Sequence, residues 1–573
     1  MTSIWRASEM LRLVFYIFPL MGGALSTLPP VVEIGNGLLQ GTYYQTINDR
    51  DVLAFLGVPF AEPPVGNMRF RPPLAVRGWQ GIKVVNDTRP PCLQYNHYLS
   101  AIGKKPIIGY EDCLYLDVYT PRLPSRGDRL TEVVVFVHGG AFTYGSKNGF
   151  NPKYLLAEKE LVLVVISYRV GPFGFLSTGD EVVTGNMGMK DQTEALKWVN
   201  RNIDRFGGDP EKVTLAGLSA GGASVHFHYF SPESRRYFKQ GISLSGTALC
   251  PWALMESPRE KMTILSNAVG CPTNTTSQVT IECLRERPGE LILYRMHSTL
   301  MPWLFNPISP FAPTIEIKGP RSFLEDHPEK LLREGKVYDA PWLVGFTSGE
   351  GFYPASEFVL DERLMNDLNN NWTIIAPHLL DFNYTEPDSD MRTAKSVKIK
   401  DYYVKGNFLS KDSTLDVIEM VSDRMYLSAI DKAVRLQAKV NKSPVYVYNF
   451  AYRGRNTLWE QFAGMKTDMG AGHGDDVAYV LGAYFSCTDS DDDRKMVDTM
   501  VGVWSSYAKQ SQPAPVAGET WMLQLGDKNV SFLLIESSEK ASMASSNQLG
   551  NTEFWDTLLS AELASSTRRH DEF

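Results

Sequence analysis

Gly217-Leu218-Ser219-Ala220-Gly221-Gly222 follows directly on the β-branched, apolar run 213–216. A strand that enters Gly-x-Ser-x-Gly and leaves as a helix describes a nucleophile elbow. In so tight a turn the positions two before and two after the serine have no room for a side chain, which accounts for Gly217 and Gly221. The serine sits in strained backbone with its hydroxyl raised above the sheet, and a helix starting at Ala220 points its N-terminal dipole at the reacting centre. The pattern by itself is modest evidence, since a chain of 573 residues yields about 0.2 such matches by chance. Its place between strand and helix carries more weight.

Working outward, apolar strand-like runs at 133–137, 161–167 and 241–245 accompany 213–216. Between the second and third in chain order lies 191–206, where Ala195, Leu196, Val199 and Ile203 recur at helical spacing. Further runs at 342–344 and 445–448 extend the same pattern. Continuous apolar strands separated by helices predict an α/β fold, with a central, mostly parallel sheet covered on both faces. The interval 250–333, rich in proline and polar residues, reads as insertion or lid material, and 366–400 as similarly irregular.

A serine hydroxyl needs a base. In the elbow architecture the chain order is Ser, acid, His, which leaves His378, His473 and His570. His570 is in a charged tail. His378 lies between two glycosylation triplets and is expected at the surface. Gly470-Ala471-Gly472-His473-Gly474 is flanked as a loop must be to bring an imidazole to Ser219, so His473 is the candidate general base. The acid is expected after a strand, and Glu350, between Gly349 and Gly351, fits. Asp361 and Asp381 are competitors on spacing alone. The run 133–137 leads into His138-Gly139-Gly140-Ala141-Phe142, an HGG-type loop. The N–H groups of Gly140, Ala141 and Ala220 are the candidate oxyanion donors.

The formal net charge is −8 with no long basic run, which argues against nucleic acid as a partner. Arg6 and Arg12 precede an apolar run at 13–20, and Ala24-Leu25-Ser26 offers a small-x-small cleavage site, so residues 1–26 read as a secretory signal. No later stretch is long and apolar enough for a membrane span. Six cysteines suit an oxidising compartment. Local pairing suggests Cys92–Cys113 and Cys271–Cys283, although six cysteines allow 15 pairings, and Cys250 and Cys487 are left either paired or as buried thiols. No Cys-x-x-Cys pair or histidine cluster points to a metal, and no cofactor is expected. Asn86, Asn274, Asn371, Asn383, Asn441 and Asn529 each begin an Asn-x-Ser/Thr triplet. The chain ends His570-Asp571-Glu572-Phe573, one residue away from an ER-retrieval tetrapeptide, so the ER lumen is the alternative to secretion.

Four further stretches complete a resemblance. Phe55-Leu56-Gly57-Val58-Pro59-Phe60-Ala61, Glu111-Asp112-Cys113-Leu114-Tyr115-Leu116, Asp191-Gln192 with Trp198-Val199, and Phe206-Gly207-Gly208-Asp209-Pro210 resemble the type-B carboxylesterases across residues 31–535. The likeness is strongest to insect esterases of that family. It implies an α/β-hydrolase fold with lid-type insertions at 27–540, followed by a C-terminal helix and polar tail at 541–573. It also implies the triad Ser219, Glu350 and His473, and it supports both local disulfides. His226 is then a packed helix residue. Two departures bear on substrate. Leu218 stands where cholinesterases place Glu and juvenile hormone esterases favour Gln, and no Trp lies between Cys92 and Cys113 to serve as a choline platform. Ala141 replaces the usual third glycine of the oxyanion loop. Trp252 is either acyl-pocket lining or plain core. The expected activity is hydrolysis of small, neutral, hydrophobic esters through an acyl-enzyme. The alternatives are a specialised hormone or pheromone esterase and a non-catalytic, neuroligin-like adhesion module.

Overall fold

The computed structural model describes residues 28–559 except 102, 459, 461–469, 483–485 and 527. The signal sequence and the C-terminal tetrapeptide with His570 lie outside the described residues. At the centre is an 11-stranded sheet. In chain order its strands are β1 (Thr42–Gln45), β2 (Asp51–Pro59), β3 (Tyr115–Thr120), β4 (Thr131–Val137), β5 (Val162–Ile166), β6 (Gly208–Leu218), β7 (Gln240–Leu244), β8 (Trp342–Thr347), β9 (Val445–Phe450), β10 (Val530–Ser537) and β11 (Lys540–Ser546). Across the sheet the order is β11-β10-β9-β8-β7-β6-β4-β5-β3-β2-β1. The interior pairs from β10 to β5 are parallel, and both margins are antiparallel.

Strand chemistry explains the layering. Every residue of β5 is buried, and so are the last five of β4. Alternate side chains enter two separate cores. Val133, Val135 and Val137 join the larger core, while Val134 and Phe136 join the smaller one on the opposite face. The helix predicted at 191–206 is an α-helix, Met187–Asn202, ending in a 3-10 turn, Ile203–Phe206. The elbow helix is Ala220–Phe230.

Three expectations are corrected. The stretch 366–400 is largely helical, with Glu362–Asn370, Trp372–Leu379 and Ser389–Val404. The side chains of Asp361 and Asp388 accept from the first turns of two of these helices, supplying the start signals that composition hid. His378 is half-buried on the middle helix rather than at the surface, and burial pushes its imidazole down to about 4. The boundary at 540 falls at the start of β11, which pairs with β10 residue by residue and belongs to the sheet; the C-terminal helix begins at Thr552. The interval 250–333 supplies the helices Pro258–Ala268, Ser277–Glu286 and Gly289–Leu300, whose Leu265, Ile281 and Ile292 enter the larger core.

Cys92–Cys113 and Cys271–Cys283 are disulfides, and Cys250 and Cys487 are buried thiols. Among the described residues no helix is long and apolar enough to cross a membrane, and no cluster of His, Cys, Asp or Glu could hold a metal ion. Asn86, Asn274, Asn371 and Asn529 are exposed, whereas Asn383 and Asn441 are half-buried. The amide of Asn441 donates to Ala340 O at 3.2 Å.

Candidate active site

The site forms where β6, β7, β8 and the segment after β9 end at one edge of the sheet. Ser219 follows β6 at φ 59°, ψ −121°, a conformation costly for any L-residue. Its N–H donates to Leu244 O at 2.7 Å, tying the elbow to the end of β7. Sterics explain the glycines: a Cβ on Gly221 would lie 2.1 Å from Val137 O, and one on Gly217 would lie 2.4 Å from the Gly221 backbone. Gly246, which the sequence reading passed over, has the same role, because its Cβ would lie 2.3 Å from Ser219 O.

Glu350 follows β8 and is fully buried. Its Oε1 accepts from Thr347 N and from the Ser245 hydroxyl, each at 2.7 Å. Its Oε2 lies 2.6 Å from His473 Nδ1. Asp361 instead caps a helix and pairs with Arg363, so Glu350 is the carboxylate at the imidazole. The loops that carry Glu350 and His473 are joined by their own backbone, with Gly349 N donating to Ala471 O at 2.8 Å. Asp475 holds the imidazole loop from the other side by accepting from Gly472 N at 2.7 Å and from Leu458 N at 2.6 Å. The His473 ring packs against Tyr353 and Tyr426 with centroids 5.5 and 4.8 Å away.

Gly140, Ala141 and Phe142 all have positive φ, at 111°, 51° and 55°. The turn is fixed from outside. The Ser309 hydroxyl donates to Ala141 O at 2.7 Å, and the Gln94 amide exchanges two 2.8 Å bonds with the backbone of Gly145. Among the described residues the N–H groups of Gly140, Ala141 and Ala220 have no acceptor, and that of Ala220 is an orphan of a helix start. His138 stacks on Tyr168, and burial lowers it to about 4, which leaves it neutral.

Ser219 and His473 line one open cleft with Gly139, Gly140 and Leu218. No hydrogen bond joins Ser219 Oγ to the ring among the described residues. Leu218 keeps this wall apolar, packing against the Gly474 position next to the imidazole. Trp252 is core: its indole donates to Met425 O at 2.8 Å, and the residue is 1% exposed. His226 is fully buried, stacked on Trp342 and pushed down to about 3. Ser245 and Gln94 are the contributors that sequence reasoning missed. Ser245 follows a strand with no motif around it, and Gln94 gives no signal beyond lying inside the Cys92–Cys113 loop.

The model of the carboxylesterase family matches residues 28–555. Venom carboxylesterase-6 of Apis mellifera is 40% identical over 92% of this chain and 94% of its own. Esterase E4 of Myzus persicae is also 40% identical, over 86% of this chain and 88% of its own. The crystal structure of juvenile hormone esterase from Manduca sexta, with OTFP covalently attached, superposes with a TM-score of 0.78 at 25% identity, over 92% of this chain and 99% of that one.

Proposed function

The chain belongs to the carboxylesterase family and is a carboxylic ester hydrolase, and from that premise we propose that it works through Ser219, His473 and Glu350 by way of an acyl-enzyme. The observation that carries this reading is the 2.6 Å contact of a fully buried carboxylate with His473 Nδ1, in a cleft wall shared with Ser219. Glu350 fixes the tautomer that presents Nε2 as acceptor and stabilises the imidazolium as it forms. His473 takes the Ser219 proton while Oγ attacks the ester carbonyl. Substrate binding closes the gap between hydroxyl and ring. The oxyanion meets the N–H groups of Gly140, Ala141 and Ala220. His473 then protonates the departing alcohol, and a water deprotonated by the same ring releases the acid.

The apolar Leu218 wall favours neutral, hydrophobic esters. The likeness to juvenile hormone esterase supports a second reading, a specialised hormone esterase, with Leu218 weighing against it. The two disulfides fit passage through an oxidising compartment. We read the protein as a secreted glycoprotein; amino-terminal sequencing of the mature form checks cleavage after residue 26.

Turnover of p-nitrophenyl esters by wild type and Ser219→Ala tests the chemistry. The variant should lose about 10⁶-fold in kcat; equal nitrophenol release by both would sink the assignment. Labelling with an organophosphate followed by peptide mapping should place the adduct on Ser219.

A further inference from the structure

The hydrogen bond between His473 Nδ1 and Glu350 holds the imidazole at one atom and leaves its plane free to tilt. The plane decides where Nε2 points. Two tyrosine rings constrain it. Tyr353 lies at 21° to the imidazole with centroids 5.5 Å apart, and Tyr426 meets it at 45° and 4.8 Å. Tyr426 also holds Tyr353, because its hydroxyl donates to the Tyr353 carbonyl at 3.0 Å. Burial, with the Glu350 charge nearby, keeps that hydroxyl well above the ordinary phenol range, so it stays a neutral donor at any working pH.

Tyr426 stands at an irregular place in the fold. The helices Thr414–Ser422 and Ser428–Val440 run into each other through a π-helical turn, Asp423–Leu427. One residue more than an α-turn holds is fitted there, which rotates the side chains that follow by about 100°. Such turns are rare and concentrate at functional sites. This one is fixed from outside. The Trp252 indole donates to Met425 O at 2.8 Å. Asp423 Oδ2 accepts from Tyr403 OH and from the Asn551 amide, each at 2.7 Å. The backbone of Gly550 presses on the same turn: a Cβ there would lie 2.5 Å from Leu427 Cβ and 3.1 Å from Asp423 Cα.

We propose that Tyr426 is a positioning residue for His473, orienting the imidazole plane for proton transfer, and that the C-terminal residues Gly550 and Asn551 set its place through the π turn. This rests on the reading of Ser219 and His473 as nucleophile and base.

Nitrophenolate leaves an ester without a proton, whereas an alkoxide must take one from the imidazole. The test therefore compares p-nitrophenyl and n-butyl esters of one acid. The quantity read is the butyl-to-nitrophenyl ratio of kcat/KM, which reports acylation and does not change with the fraction of folded enzyme. Tyr426→Leu should lower that ratio about tenfold, part of what general acid catalysis supplies. Tyr426→Phe, which keeps the ring and releases the Tyr353 carbonyl, should lower it about threefold. Gly550 does not line the cleft, and Gly550→Ala drives a methyl group into the π turn. It too should lower the ratio about threefold. A ratio unchanged by both Tyr426 variants overturns the proposal; if Tyr426→Leu does not fold, Tyr426→Phe decides. A ratio unchanged by Gly550→Ala overturns the role given to the C-terminal residues; if that variant does not fold, Asn551→Ala decides. Failure of the underlying reading is separable, because it appears as equal hydrolysis by wild type and Ser219→Ala whatever the ratio.

Discussion

Glu350 turns all its acceptor capacity inward, with two donors on Oε1 and the imidazole on Oε2. Glu350→Gln keeps the shape and reverses the tautomer preference. It should drop kcat by about 10⁴-fold with the melting temperature little changed. Ser245→Ala removes one donor from a buried carboxylate, a bond to a charged group worth about 1.5–3 kcal/mol. Its kcat/KM should fall while KM stays near wild type, a split that steady-state kinetics reads directly. Asp475 gives a pH prediction. Burial outweighs its two backbone donors and pushes its carboxyl from 3.8 up to about 7. The folded chain therefore holds a proton that the unfolded chain has released. The contribution to stability is present below 3.8 and is lost as pH rises through about 7. Asp475→Asn lacks this titration, so its melting temperature should gain on wild type from about pH 4 to about pH 8; a constant difference across that range refutes the assignment. At this scale Ser219 and His473 were legible because the glycines around them record steric need. Ser245 was not, since a serine just after a strand looks the same whether or not a carboxylate lies above it.

The oxyanion loop shows how an element carries chemistry through its backbone alone. At Gly140, φ is 111° and a Cβ would lie 2.1 Å from Tyr144 O. Gly140→Ala must displace the turn and with it the N–H groups. Activity should fall about 10²–10³-fold, the cost of a lost oxyanion donor. Circular dichroism unchanged from wild type would separate this from global unfolding. The strands of the sheet interior were readable from sequence because both faces are covered, leaving unbroken apolar runs. The helices within 366–400 were not. Apolar side chains such as Ile374, Met391 and Val397 are exposed on them and blur the periodicity, Pro377 sits inside one of them, and tertiary packing of residues such as Leu368, Ile375 and Ile399 decides their state.

Across the whole molecule, the Cys92–Cys113 disulfide closes a loop of sequence separation 21 and also carries Gln94, the clamp on Gly145. Replacing both cysteines with serine should lower stability by about 3 kcal/mol. It should also reduce kcat/KM more than that stability loss explains, measured well below the melting transition. The fold class could be read in advance because strands covered on both faces leave unbroken apolar runs, whereas Glu350 was not separable from Asp361 and Asp381 on spacing alone and was singled out by the family resemblance. The β10–β11 hairpin across residue 540 could not, because a short polar strand such as β11 shows its state only when its partner is in place.

The Gly349 to Ala471 hydrogen bond joins the acid and base loops without using either side chain. The architecture of this corner therefore does not depend on the reactivity of what it displays. A descendant of this chain could fall chemically silent through one exchange at position 219 and still present the same outer surface, ready to be kept for whatever that surface touches.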